Sequence, residues 1–182
     1  RRYEYHFEGG GREAVLAALA AYQNADGGFG NALEPDIRCP HSQPVPVEAA
    51  LMIMDEIGCF DRDILSGILR WLRSVVRPDG GFPLALPELN GYPHAPWWTV
   101  SGEGETPANI NPTGRIVGLL LKQQTIADVR HEEWFQASLR FVWDVMECGQ
   151  PEGYHDAVQW IAFLENVPDV PRAERIMLRI FS

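Results

Sequence analysis

Tyr22-Gln23-Asn24-Ala25-Asp26-Gly27-Gly28-Phe29-Gly30 decides the fold, because its centre comes back. Asp26-Gly27-Gly28-Phe29 recurs as Asp79-Gly80-Gly81-Phe82, an offset of 53 residues (79 − 26). Each copy follows an apolar run with helical periodicity, Glu13 to Tyr22 and Ile64 to Val76. A repeated helix stop marks a repeated supersecondary unit. The glycine pair permits positive φ where a side chain would clash. The Asp carboxylate can accept from free backbone N–H groups beside it. The Phe then drops onto the hairpin it closes, and Gln23 is placed to bond across to the next repeat. None of these roles needs catalysis.

Working outward, Tyr3 to Phe7 reads as a helix end or packed arm closed by Gly9-Gly10-Gly11. Alanine-rich Arg12 to Gln23 is a strong helix former. A proline-rich loop, residues 31–46, leads to a helix from Pro46 to Ile57, stopped by Gly58. Asp61 caps the next helix, Arg62 to Val76, which ends before Pro78. The loop 80–111 is the least regular part, with an acidic tip at Glu103 and Glu105. A loop this long is usually functional or disordered, and its aromatics argue against disorder. Asn111-Pro112 starts a helix reaching Gln124, with Gly114 and Gly118 on one face for close packing. Further helices run from Glu132 to Glu147, with Trp134, Ser138, Phe141 or Val142, and Val145 as a stripe, and from His155 to Asn166. The last starts at Asp169 and Pro171. No alternating segment is long enough for a strand. The chain reads as all-α, built from consecutive helical pairs with long loops at one end.

Composition excludes more than it assigns. A net charge of −10 argues against nucleic acid and against anionic lipid. Six tryptophans point to a large aromatic core or a ring-lined cavity. Trp71, Trp134, Trp143 and Trp160 fall on helices and are assigned to the core. Cys39, Cys59 and Cys148 are far apart with no CxxC, which fits unpaired thiols in a cytoplasmic protein. No apolar run approaches the roughly 20 residues of a membrane span, and no signal peptide opens the chain. The chain opens at Arg1, already dense in aromatics. Residues 1–182 are therefore expected to form a single domain cut from a longer chain.

Gln23 to Gly30 resembles the QW-type repeat of terpenoid cyclases and protein prenyltransferases. Copy two is poorer, with Val76 for Gln and Pro83 for the last Gly, and a third copy near Cys148 to Tyr154 is degenerate. A closer resemblance covers most of the chain. Ala21 to Asp36, Ser42-Gln43-Pro44, Gly91 to Trp98 and Asn111-Pro112-Thr113 together look like a bacterial group of prenyltransferase-like or squalene-cyclase-like proteins. The resemblance implies an α/α toroid, in which helical hairpins curve into a barrel around a cavity. It further implies an apolar, isoprenoid-like ligand at the barrel mouth and a cyclase- or transferase-like reaction.

The motifs of those enzymes are not all present. There is no Asp-x-Asp-Asp acid; Asp61-Arg62-Asp63 is nearest and sits at a helix cap. There is no Asp-Asp-x-x-Asp to hold magnesium. Asp36, Cys39 and His41, with His155 from a later repeat, contain the zinc ligand types but lack the Asp-x-Cys spacing. No cofactor is therefore assigned. Glu34 and Asp36 follow the repeated turn, where a cavity mouth is expected, and are the candidate catalytic pair. The bland alternative is a helix cap or an ion pair with Arg38. Tyr92, His94, Trp97 and Trp98 form a substrate-binding cluster, since rings stack on sugars, isoprene chains or cations. His155 joins them, although His155-Asp156 also reads as a helix start. The same carboxylates and rings would suit a glycan hydrolase or lyase, and a non-catalytic scaffold is a third reading. Expected partners are a small molecule and, through faces left open by an incomplete ring, a second copy.

Overall fold

The computed structural model describes residues 1–102 and 106–181, so Glu103 and Glu105 lie outside the described residues. It is mostly helical, with eight α-helices among the described residues. The chain divides into two compact units, Arg1–Trp71 with Ala85–Ser101, and Leu72–Leu84 with Gly102–Ser182.

The first unit holds α1 (Arg2–Phe7), α2 (Arg12–Ala20), α3 (Pro44–Glu56) and α4 (Arg62–Val75) as far as Trp71. Asp61 caps α4 as expected, its Oδ1 accepting from the Asp63 and Ile64 N–H groups at 3.0 Å. Helix α2 is shorter than its periodicity implies, because residues 21–23 already turn into the hinge. Helix α3 begins at Pro44, not Pro46. Both prolines fit in its first turn, where an N–H has no partner to lose.

The second unit holds the last turn of α4, β1 (Phe82–Pro83), β2 (Ala108–Asn109), α5 (Ile110–Lys122), α6 (Glu133–Cys148), α7 (Tyr154–Leu164) and α8 (Val170–Phe181). The two-residue strands pair antiparallel, Phe82 opposite Asn109, a contact too short for alternation to announce. Asn109, not Asn111, supplies the capping carboxamide, accepting from the Asn111 N–H at 2.9 Å. Asn111 stays extended (φ −94°, ψ 115°) ahead of proline and accepts instead from Gln159 at 3.1 Å. Gly114 and Gly118 do carry the close face. A Cβ on Gly118 would sit 2.5 Å from the Ala162 carbonyl oxygen of α7. The buried stripe of α6 is Phe135, Ser138, Val142, Trp143 and Met146, so the expected stripe is turned by about one residue. Trp71, Trp143 and Trp160 are buried, whereas Trp134 is only half-buried and donates to Glu132 at 2.7 Å.

The two hinges are built alike. In the first, Gly27 N–H donates to Asn24 O (2.9 Å), Asn24 N–H to Gly28 O (2.9 Å) and Gly28 N–H to Asp26 Oδ1 (2.9 Å). In the second, Gly80 donates to Arg77 O (2.8 Å), Arg77 to Gly81 O (2.9 Å) and Gly81 to Asp79 Oδ1 (3.2 Å). Gly27 and Gly80 have φ of +98° and +96°. Each presses on a later helix: added Cβ atoms would lie 2.2 Å from Gly67 O of α4 and 2.3 Å from Ala137 O of α6. Phe29 and Phe82 are fully buried. Gln23 crosses to α4, donating to Ile64 O at 3.0 Å as well as to Gly27 O at 2.9 Å. No hinge of this kind follows α6. There Arg179 of α8 donates to the Met146, Glu147 and Gly149 carbonyls.

Gly27→Ala therefore meets both a forbidden φ and a backbone wall. It is expected to cost at least about 2 kcal/mol in urea unfolding, and Gly80→Ala the same. A gentler probe is pH. In the second unit Arg73 holds Glu132, with one N···O of 2.6 Å, and this hydrogen bond lowers the Glu132 pKa below 4.5 despite partial burial. A lowered carboxyl pKa stabilises the fold above the unfolded-state pKa and loses that effect as pH falls through the folded one. Arg73→Gln should thus cost about 0.2–1 kcal/mol at pH 7. The gap to the parent should close progressively below pH 4.5.

Candidate functional site

Glu34 and Asp36 lie in the loop after the first hinge. The chain reaches them through two left-handed residues, Asn31 (φ 55°) and Ala32 (φ 62°). Asn31 is suited to that conformation; Ala32 is not. Surrounding bonds hold the strain in place. Asn31 donates its N–H to Cys39 O (3.0 Å) and its amide to Asn24 Oδ1 (3.1 Å), and Leu33 N–H donates to Gly30 O (3.1 Å). Ile37 N–H donates to Glu34 O at 3.0 Å, closing a turn that leaves Glu34 half-buried and Asp36 exposed. Neither carboxylate caps a helix or pairs with Arg38 among the described residues.

The two clusters read separately in the sequence are joined here. Ile37 bridges antiparallel to His94, with Arg38 N–H donating to Pro93 O and Ala95 N–H to Asp36 O, both at 3.0 Å. Ile37 is fully buried beneath this pairing. The His94 ring is held between Tyr92 O (2.6 Å) and Thr99 Oγ1 (3.1 Å). Tyr92 OH meets His41 Nε2 at 3.1 Å. Trp97 is 66% exposed, and Trp98 is half-buried with its indole N–H enclosed and unpartnered. Asp36, Tyr92, His94, Trp97 and Trp98 thus share one platform in the first unit. His155 belongs to the second unit, is exposed and lies edge-on to Tyr154. Its neighbour Asp156 accepts from the Glu152 N–H at 3.1 Å, which is a helix-start role.

The zinc reading finds no support in the geometry. Cys39 is fully buried, its thiol pushed up by desolvation, and it faces Glu88 O at 3.9 Å. Among the described residues no three His, Cys, Asp or Glu side chains converge as a metal site.

Sequence reading expected a cavity mouth at this loop but did not name the walls of the space found beside it. A space of about 330 Å³ in the first unit is walled by Val15, Ala18 and Leu19 of α2, Tyr22 just past it, Ile53 of α3 and Leu33, the residue before Glu34. Arg1, Arg2 and Tyr3 complete it. Its size lies at the small end of ligand pockets. The spacing 15, 18, 19, 22 was a visible signal of one lining face. Also missed were Gln43 and Glu48 at the buried start of α3. Gln43 Oε1 accepts from the Leu86 N–H at 2.8 Å, while its amide nitrogen is buried without a partner.

No helix among the described residues is long and apolar enough to cross a membrane. The chain matches no family model, no curated protein and no solved structure.

If Ala32 is strained as its φ requires, Ala32→Gly should raise the urea-unfolding free energy by roughly 0.5–1 kcal/mol. An unchanged or lowered value would show that the loop gains nothing from release at this position.

Proposed function

We propose that this chain is an α/α-toroid protein of the terpenoid cyclase and prenyltransferase type, its hairpins forming a single domain. In this reading it binds, and transforms, an apolar isoprenoid-like molecule. The observation that carries the proposal is the cavity against Leu33, next in the chain to Glu34, its walls apolar apart from Arg1 and Arg2. Aliphatic and ring walls suit an isoprene chain, and Glu34 with Asp36 supplies the only charged chemistry in that loop besides Arg38. The like-built hinges support the toroid part. Within the first unit one presses on Gly67 of α4, and within the second the other presses on Ala137 of α6, so the same contact is made twice, as repeated hairpins require. Three unpaired cysteines fit the cytoplasm.

A second reading rests on Trp97. Its exposed indole stands on the same platform as exposed Asp36, an arrangement that suits stacking on a sugar beside a carboxylate.

Farnesol is the direct probe, read by native mass spectrometry and tryptophan fluorescence. A complex is expected. Ala18→Phe, which fills the cavity, should weaken it at least about tenfold, or 1.4 kcal/mol. Glu34→Gln should retain binding and abolish any conversion. No farnesol complex, with an oligosaccharide bound in a Trp97-dependent way, would replace the isoprenoid reading by the glycan one. Binding of neither would leave a scaffold.

A further inference from the structure

The second unit carries a separate groove of about 550 Å³ along α8 and the end of α7. Its floor is Leu164, Val167 and Ala173, each 6% exposed, and its open edge is Val170 and Leu178, at 54% and 73%. The α8 residues lining it, Val170, Ala173, Glu174, Met177 and Leu178, recur at three and four and so share one stripe. The arginines of α8 occupy the opposite stripe. Arg172 stacks on Trp143 (4.1 Å to the ring centre) and pairs with Glu147, Arg175 turns back to Pro171 O (3.2 Å), and Arg179 caps the α6 carbonyls. The groove side therefore keeps carboxylates alone. Glu165 and Glu174 border it, both exposed, their carboxylates without a hydrogen bond or ion pair among the described residues.

We propose that this groove docks an amphipathic helix of a partner protein, one whose apolar stripe is flanked by Lys or Arg. Apolar floor and edge supply the helix-in-groove contact, and the uncompensated Glu165 and Glu174 select the sign of the flanking charge. The same carboxylates disfavour a second copy of this acidic chain.

The test uses two synthetic helical peptides with the same leucine stripe, one flanked by lysines and one by glutamates, in fluorescence anisotropy with the full chain. The lysine peptide should bind at least about tenfold tighter, and its affinity should fall as salt rises. Glu165→Lys with Glu174→Lys should reverse the preference while leaving the melting temperature unchanged. Leu178→Asp should weaken both peptides. Equal binding of the two peptides, binding that survives both sets of substitutions, or no binding would each overturn the proposal. So would a dimer of the chain alone, in sedimentation, that Leu178→Asp dissolves.

Discussion

A helix ending inside a protein must dispose of its last carbonyls and turn the chain without opening a gap. Here both needs are met by backbone laid against backbone. Gly27 has φ +98°, and its Cα faces the Gly67 carbonyl so closely that a methyl would come within 2.2 Å. Gly80 repeats this against Ala137. The Asp before each glycine pair bonds the second glycine's N–H, so the turn is held from inside while it is pressed from outside. A contact of this kind has no tolerance for a side chain and none for a shift in register. It therefore fixes which helix each hinge meets, and the Phe that follows is carried into the core in both copies.

The loops inherit that precision. Once Phe29 is anchored, its carbonyl accepts from the Gln43 N–H at 2.9 Å, so the segment between them is a loop tied at its neck. Ser42 Oγ donates to Asp26 at 2.7 Å, and Asn24 donates to Ser42 at 3.0 Å and to Pro40 O at 2.9 Å, binding the neck to the hinge itself. A short tied loop has few conformations that also bury Ile37 and Cys39, and left-handed Ala32 is the local cost. Gln43 then holds Leu86, and residues 36–38 hold 93–95, so the aromatic platform is positioned from the hinge outward.

What the sequence made legible follows from range. The hinges, the Asp61 cap, the Gln23 crossing and the small face at Gly114 and Gly118 are each written in a few adjacent residues with one physical reading. The pairing of Ile37 with His94 is not, because it joins distant irregular segments through backbone groups that every residue carries. The cap moved from Asn111 to Asn109 because two asparagines compete and the proline keeps Asn111 extended. The α6 stripe was turned because Trp134 finds its polar partner in Glu132, leaving Phe135 to take the core position. That α2 walls the cavity was missed for a different reason. An apolar face reads alike whether another side chain or empty space lies opposite, so α2 disclosed the face but not the void.

The same economy bears on charge. Several of the cations in this acidic chain donate to carbonyl oxygens. Arg70 serves Ala25 and Asp26 at 3.2 Å, Arg77 serves Thr106 at 2.8 Å, Arg130 serves Leu121 and Gln123, and Arg179 serves the end of α6. Arg70, Arg130 and Arg179 are placed where a hinge or a helix end leaves acceptors without donors, and guanidinium, with its several N–H groups, can satisfy more than one at once. A cation used in this way keeps its charge but loses its freedom to neutralise a nearby acid. Carboxylates such as Glu165, just past α7, and Glu174, on α8 among its arginines, are then left without side-chain partners among the described residues. The net charge of −10 follows from composition alone, but where the arginines are used decides which carboxylates stay unpaired and so which faces are open to cations from outside.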